Sequence, residues 1–133
     1  VAVATDKGLV TPVLRGVENL SVTAVSAAVR DRAERARAGR LQQQELEGGV
    51  ITVTNLGMFG TEEFAAIINP PHAAILAVGA VRAEPVVRDG ALAVGQVLRC
   101  TLSVDHRPVD GVDAARWMRC FIGLLEAPLR ILA

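Results

Sequence analysis

One stretch, Ser103–Gly111, constrains the fold and the chemistry of this chain more than any other. It places His106 and Asp110 four residues apart, at the point where one hydrophobic period gives way to another. Apolar and polar residues alternate over 96–105, which predicts a half-buried strand that ends at His106. Apolar residues then recur at helical spacing, so we expect a helix to begin at about Gly111 with Asp110 near its N-cap. Two rigid elements would therefore aim the imidazole.

Histidine is the side chain whose ordinary pKa lets it accept a proton near pH 7, so His106 is a candidate general base. Asp110 would then act as its orienter or scaffold. A second interpretation fits the same residues: Asp110 caps a helix beside a histidine that is merely structural. The pattern His-x-x-x-Asp-Gly does not by itself decide between the two.

Composition narrows the class of protein. The chain has 133 residues with 51% hydrophobic content, which indicates one globular domain with a sizeable core. Its 14 basic and 14 acidic residues give zero formal net charge, and it has no Tyr, so nothing favours binding to nucleic acid. No apolar run reaches the roughly 18 residues of a membrane span, and Cys100 and Cys120 are a lone pair without metal-ligand spacing. We therefore expect an intracellular protein without a resident metal.

The first third of the chain predicts a hairpin and a helix. The β-rich runs Val1–Thr5 and Val10–Arg15 flank a turn-prone segment. Because Val1 already opens a strand pattern, we expect that an N-terminal part is missing. Asn19 or Ser21 can cap a helix that runs to about residue 38, and the charge run on its outer face is expected to be solvated.

A second strand end carries a possible catalytic group. Residues 50–54 predict a strand, and the glycine-punctuated segment Asn55–Gly60 predicts a loop. Thr54 therefore offers a hydroxyl at a strand end, although such a threonine commonly bonds only to backbone. The run 73–79 predicts a buried strand, and His72 before it carries no second motif, so we take it as incidental.

Several motifs occur in one order and together are highly specific. They are Gly48–Gly60, Ile67–Pro71, Ala74–Gly79 and Asp105–Gly111. With them the chain resembles the catalytic domain of the dihydrolipoamide acyltransferase component of 2-oxoacid dehydrogenase complexes. The resemblance covers essentially all 133 residues and corresponds to the C-terminal part of that domain. The lipoyl and peripheral-subunit-binding domains are expected to be absent from this stretch.

The resemblance implies an α/β fold, a two-layer α+β arrangement with a chloramphenicol-acetyltransferase-like mixed sheet and helices. It implies homotrimers whose active sites lie between subunits and which assemble into a larger core. The implied partners are the 2-oxoacid decarboxylase/dehydrogenase and dihydrolipoamide dehydrogenase components, with no nucleic acid and no membrane. The implied location is the cytoplasm, or the mitochondrial matrix if the source is eukaryotic.

The resemblance also implies roles for three residues. His106 corresponds to the general base, Asp110 to the motif aspartate, and Thr54 to the hydroxyl that stabilises the tetrahedral intermediate, a place where serine is commoner. The implied reaction moves an acyl group, for which acetyl fits best, between a dihydrolipoyl thioester and coenzyme A. Coenzyme A is a substrate, and the lipoyl group is carried on a domain absent from this chain. Branched-chain acyl transfer, succinyl transfer and a non-catalytic trimeric scaffold stay open as alternatives.

Overall fold

The computed structural model describes residues 1–131 and arranges them as three small sheets and two helices. In chain order, the strands and helices are β1 (Val3–Thr5), β2 (Gly8–Val10), α1 (Val22–Arg37), β3 (Ile51–Asn55), β4 (Ala74–Val78), β5 (Arg82–Arg88), β6 (Ala91–Val97), β7 (Cys100–Val104) and α2 (Gly111–Glu126). Short 3₁₀ turns lie at Val17–Asn19, Gln43–Glu45, Gly57–Phe59 and Pro128–Ile131.

The central sheet joins β3, β4 and β7, with β4 in the middle. β3 runs parallel to β4, whereas β7 runs antiparallel to it. The sequence of β4 is wholly apolar, which suits a strand that is covered on both faces. Its residues Ile75, Leu76 and Ala77 are buried. The expected mixed sheet with helices is therefore confirmed.

The register of this sheet determines which residues lie at each of its ends. β3 and β4 start at the same end, and the last residue of β7 lies there too because β7 is antiparallel to β4. Residues that are paired across the three strands form one level of the sheet, and the level at this end consists of Ile51, Ala74 and Val104. A second level, nearer the other end, consists of Thr54, Ala77 and Thr101. The end of β3 and the end of β7 therefore lie at opposite ends of the sheet.

Helix α1 begins and ends where the local chemistry predicts. The Ser21 hydroxyl accepts a hydrogen bond from the Ala24 amide at 3.2 Å, so Ser21 rather than Asn19 is the N-cap. Gly39 has a φ of 65° and terminates the helix. The amides of Gly39 and Arg40 bond back to carbonyls of the last turn, which satisfies acceptors that the helix leaves open.

The charged face of α1 was expected to be solvated. This expectation is wrong in part, because some of its side chains form ion pairs. Arg35 forms a two-pronged ion pair with Glu45, with nitrogen–oxygen distances of 2.8 and 2.6 Å. Arg32 contacts the same carboxylate at 2.8 Å. The hydrogen bond from Arg35 is the main reason why the pKa of Glu45 falls to about 2. The charge pattern of the helix could not reveal this pairing, because the acidic partner lies in a later segment that folds back.

The hairpin of β5 and β6 follows its turn residues. Asp89 at φ 52° and Gly90 at φ 80° form the type I′ turn that an Asp-Gly pair predicts. The single strand predicted over 96–105 is wrong, however, because β6 ends at Val97 and β7 begins at Cys100. The alternation continues across a change of partner from β5 to β4. A period of two reports an extended backbone and does not identify the neighbouring strand.

The first hairpin and helix α2 contact the central sheet. The first hairpin pairs β1 with β2, but its second strand is Gly8–Val10, so the prediction of a strand over Val10–Arg15 is wrong. The Ala2 amide donates to the Val53 carbonyl at 2.9 Å, which attaches this segment to β3. Helix α2 lies against β7. Neither helix of the described range has the length and apolar character needed to cross a bilayer.

Candidate active site

Thr54 lies one residue before the end of β3, and its side chain is half-buried. It lines a cavity of about 410 Å³ together with Thr11, Thr52, Asn69 and several apolar side chains. Among the described residues, no charged side chain lines this cavity, and no hydrogen bond engages the Thr54 hydroxyl. A hydroxyl that is not bonded to backbone and faces a neutral cavity can donate to an oxygen of a ligand.

The loop after Thr54 is held close to the sheet. The Asn55 side chain accepts a hydrogen bond from the Gly57 amide at 2.8 Å. A Cβ on Gly57 would lie 2.6 Å from the carbonyl oxygen of Gly79, so only glycine fits there. Gly60 adopts a φ of 78°. The predicted loop is therefore present, and the close approach at Gly57 and the positive φ at Gly60 hold the segment that follows Thr54 in one place.

His106 lies in the turn that follows β7, and its side chain is exposed. Asp105 extends the strand pairing by donating its amide to the Ala73 carbonyl at 2.8 Å. The turn closes where the Val109 amide donates to the Asp105 carbonyl at 3.2 Å. Over residues 1–131, no group forms a hydrogen bond with the imidazole. The turn therefore sets the position of His106, while its ring nitrogens stay available to a substrate.

The carboxylate of Asp105 is bound to Arg107 and not to His106. It accepts hydrogen bonds from the Arg107 backbone amide at 3.0 Å, from Nε at 3.0 and 3.1 Å, and from Nη2 at 2.6 Å. The side-chain bonds from Arg107 are the main cause that lowers the pKa of Asp105 to about 2. Asp105 therefore stays ionised at neutral pH and stabilises the turn instead of exchanging protons there.

Asp110 is the N-cap of α2, as the sequence predicts. Its Oδ1 atom accepts hydrogen bonds from the Val112 amide at 2.8 Å and the Asp113 amide at 2.9 Å. Within the described range, its carboxylate contacts neither the imidazole of His106 nor a basic side chain. Of the two roles considered for Asp110, orienter or scaffold, this geometry fits the scaffold.

Thr54 and His106 are far apart within one chain. Thr54 is three residues along β3 from the level of Val104, and two strand spacings separate β3 from β7. At about 3.3 Å per residue and about 4.8 Å between strands, Thr54 and Val104 lie roughly 14 Å apart. His106 lies beyond Val104, farther still from Thr54. Two groups that each touch the same reacting atoms at about 3 Å cannot be separated by this distance.

His72 is a residue that the sequence interpretation missed. Taking it as incidental was wrong, because its side chain is only 6% exposed and its Nδ1 lies 2.6 Å from the Thr52 hydroxyl. Thr52 is 1% exposed and lies on the same face of β3 as Thr54. The sequence feature that could have indicated this contact is the placement of Thr52 and Thr54 on one face of a strand, with Gly49 just before it.

The polar groups of these sites suit an organic ligand. No group of three or more His, Cys, Asp and Glu side chains within 1–131 is arranged to hold a metal ion. The Thr54 cavity instead combines hydroxyl and amide groups with apolar side chains. Such a lining fits a neutral chain that carries a few hydrogen-bonding groups.

Known proteins are similar to this chain in both sequence and fold. The family model described as 2-oxoacid dehydrogenases acyltransferase (catalytic domain) matches residues 1–133. A relative from Zymomonas mobilis is named the dihydrolipoyllysine-residue acetyltransferase component of pyruvate dehydrogenase complex. It is 47% identical over 133 residues, which are 100% of this chain and 30% of that protein.

Two solved structures extend the comparison. One, of Azotobacter vinelandii dihydrolipoamide acetyltransferase, accompanied an investigation of the role of a serine, a histidine and an asparagine in its catalytic mechanism. It has a TM-score of 0.93 at 36% identity and covers 99% of this chain and 54% of that one. The other, the cubic core of a pyruvate dehydrogenase multienzyme complex, has a TM-score of 0.93 at 35% identity with the same coverage. The chain thus spans about half the length of these solved chains. It belongs to the family of 2-oxoacid dehydrogenase acyltransferase catalytic domains.

Proposed function

We propose that this chain contributes to transfer of an acetyl group between a dihydrolipoyl thioester and coenzyme A in a 2-oxoacid dehydrogenase complex. The acetyl assignment rests on the names of its relatives, which are acetyltransferase components of pyruvate dehydrogenase complexes. Coenzyme A and the dihydrolipoyl group are the two thiol substrates. The lipoyl domain and the other enzymes of the complex would be supplied outside this stretch.

One observation carries the assignment of the site. The serine, the histidine and the asparagine of the Azotobacter enzyme are the same numbers of residues apart along the sequence as Thr54, His106 and Asp110. Two of the three residue types differ, but each keeps the relevant group. Threonine retains a hydroxyl donor, and aspartate retains a side-chain oxygen that can cap a helix. On this basis His106 is the general base, Thr54 the oxyanion donor and Asp110 the residue that holds the start of α2.

The chemistry follows from these roles. A thiol of pKa about 8.5 is mostly protonated near pH 7, so it needs a base during attack. A ring nitrogen of His106 removes the thiol proton while the sulfur bonds to the thioester carbonyl carbon. The carbonyl oxygen becomes an oxyanion, to which the Thr54 hydroxyl donates. Collapse of the intermediate breaks the original carbon–sulfur bond, and the departing thiolate regains a proton from His106.

The distance between Thr54 and His106 bears on how the site is built. Because one chain holds them roughly 14 Å or more apart, a single copy does not bring both to one thioester. We infer that Thr54 of one copy and His106 of another form each site, in the trimeric arrangement implied by the resemblance. The cubic core of a related complex supports assembly of such copies into a larger body.

Complementation between two inactive variants tests this proposal. In the full-length protein that carries this sequence, His106→Ala is expected to lower kcat by about 10²–10⁴, the usual cost of losing a general base. Thr54→Ala should also be nearly inactive. Co-expression of the two variants should restore about a quarter of wild-type activity, since random assembly places both intact residues at that share of the interfaces. A mixture that stays inactive, with oligomers still formed, would contradict a shared site.

The same experiment separates catalysis from the scaffold alternative. A non-catalytic trimer would assemble normally, yet wild-type protein would show no acetyl transfer from acetyl-coenzyme A to dihydrolipoamide. Binding of coenzyme A, measured by calorimetry, provides a second criterion that does not depend on turnover. Activity with acetyl, branched-chain and succinyl thioesters compared side by side would identify the acyl group.

A further inference from the structure

A buried hydrogen bond lies next to the proposed oxyanion donor. Thr52 and His72 are the two polar residues of the described range that are buried, and they bond to each other at 2.6 Å. Thr52 lies two positions before Thr54, and both line the cavity described above. The bond therefore joins the cavity face of β3 to the segment that leads into β4.

The surroundings of His72 leave its ring little freedom. The His72 backbone amide donates to the Asn69 carbonyl at 3.0 Å, and the next residue, Ala73, donates to the Val50 carbonyl at 2.9 Å. A Cβ on Gly49 would lie 2.4 Å from Nε2 of the ring, so the absence of a side chain there makes room for the imidazole. The ring is thus packed against the start of β3 while its Nδ1 contacts Thr52.

A neutral ring suits this place. Burial lowers the pKa of His72 below its ordinary value, because the charged imidazolium is poorly solvated inside the protein. In the neutral form, one ring nitrogen carries a proton and the other can accept a hydrogen bond. Thr52 can therefore donate its hydroxyl proton to Nδ1, which leaves this threonine no free donor at the cavity wall.

We propose that His72 is a positioning residue for the reaction, acting through Thr52 to hold Thr54 where its hydroxyl meets the oxyanion. This inference rests on the proposed role of Thr54. The buried hydrogen bond holds the backbone of β3 at Thr52, and Thr54 is the next residue on the same face of this strand. Neither His72 nor Thr52 needs to touch the substrate.

The test removes the Thr52–His72 hydrogen bond, first in the wild-type protein and then in a protein that lacks the Thr54 hydroxyl. In the full-length protein, Thr52→Val and His72→Leu each remove the bond while keeping much of the buried volume. Each is expected to lower kcat by about tenfold or more with little change in KM for the thiol substrate, as a small displacement of a catalytic group does. His72→Gln, which retains a polar partner for Thr52, should recover most of kcat.

The decisive measurement repeats these substitutions in a Thr54→Ala background. If His72 acts through Thr54, His72→Leu and Thr52→Val should cause little further loss of kcat there, because the group that they position is gone. An equal fold-loss in both backgrounds would overturn the proposal and indicate a general effect on folding. Unchanged kcat in the Thr52→Val enzyme would overturn it as well.

Two controls keep the outcomes apart. Thr101→Val makes the same chemical change at a half-buried strand threonine that has no side-chain hydrogen bond over residues 1–131, and it should leave kcat near wild type. Thr54→Ala alone reports on the proposed function. If Thr54→Ala has wild-type kcat, the role of Thr54 fails, whereas additive losses on a damaging Thr54→Ala refute only the role of His72.

Discussion

At the residue scale, what distinguishes Thr54 is the lack of a competing bond. Its hydroxyl faces a cavity lined only by neutral groups among the described residues, and it is engaged by none of them. Thr52, on the same face, is in the opposite state, since its hydroxyl is taken up by His72. Two threonines that look alike in the sequence therefore differ, because of the two only Thr54 has a hydroxyl proton free to donate to a ligand.

Removal of the Thr54 hydroxyl should destabilise the transition state more than it weakens substrate binding. Thr54→Ala is expected to lower kcat by about 10²–10³ with little change in KM for coenzyme A, because an oxyanion donor binds charge that develops during reaction. Thr54→Ser retains the hydroxyl and should be mild. Steady-state kinetics of the full-length variants measures both. A large rise in KM at constant kcat would instead assign Thr54 to substrate binding.

The buried His72 should make stability depend on pH. Its pKa in the folded state lies below the ordinary value of 6.5, so between these two values the unfolded chain binds a proton that the folded chain does not. The free energy of unfolding is therefore greatest above pH 6.5 and falls as the pH falls towards the lowered pKa. Thermal melts at about pH 7.5 and about pH 5 should show a larger drop in Tm for wild type than for His72→Gln. Equal drops would contradict this account.

At the element scale, Asp110 is the N-cap of α2, which begins at Gly111. A single oxygen of Asp110 accepts both amides of the first turn. Any short side chain with one suitably placed acceptor can do this, which agrees with the asparagine of the Azotobacter enzyme at the equivalent spacing. The position of the motif turn depends on this cap, because the turn and the helix are joined with few residues between them.

Substitutions of Asp110 should separate capping from charge. Asp110→Asn keeps an oxygen acceptor and should change Tm and kcat little, whereas Asp110→Ala should lower the free energy of unfolding by about 0.5–2 kcal/mol. Ser21→Ala, at the N-cap of α1, is the matched control because it costs stability without touching the motif turn. An Asp110→Asn enzyme that melts like wild type and has no activity would give the carboxylate a direct catalytic role.

At the scale of the whole molecule, much apolar surface lies open in a single copy. On the β5–β6 hairpin, Val87, Leu92 and Val94 share one face and are 70%, 81% and 76% exposed. On α2, Trp117 stacks on Phe121 at 5.2 Å and is itself exposed. A two-stranded sheet with one bare apolar face is marginal by itself, and apolar surface on this scale favours association.

Residues 1–133 expressed alone should therefore self-associate. Sedimentation velocity is expected to show oligomers or aggregates instead of a monomer. Leu92→Lys should reduce this association, since it places a charge in the centre of the apolar hairpin face. Gln96→Lys adds the same charge at a position on the hairpin that is already polar and serves as the control. A monodisperse wild-type monomer would show that these surfaces need no cover.

Much of the fold could be read from local sequence because its determinants are local. The Asp89–Gly90 turn, the Ser21 and Asp110 caps and the Gly39 stop each depend on backbone angles or on hydrogen bonds within a few residues. The apolar run of β4 likewise identifies a buried strand without knowledge of its neighbours. The motif around His106 and the hydroxyl of Thr54 could be proposed for the same reason, since each lies at a strand end that its own pattern reveals.

The contacts between distant segments were decided only by the tertiary structure. Alternation continued past Val97 because it does not register a change of strand partner, and the ion pair of Arg35 with Glu45 required a segment to fold back. His72 looked incidental because its partner Thr52 is 20 positions away. The separation of Thr54 from His106 depends on β7 running antiparallel to β4. Strand direction and pairing are set by long-range burial, which no local period records.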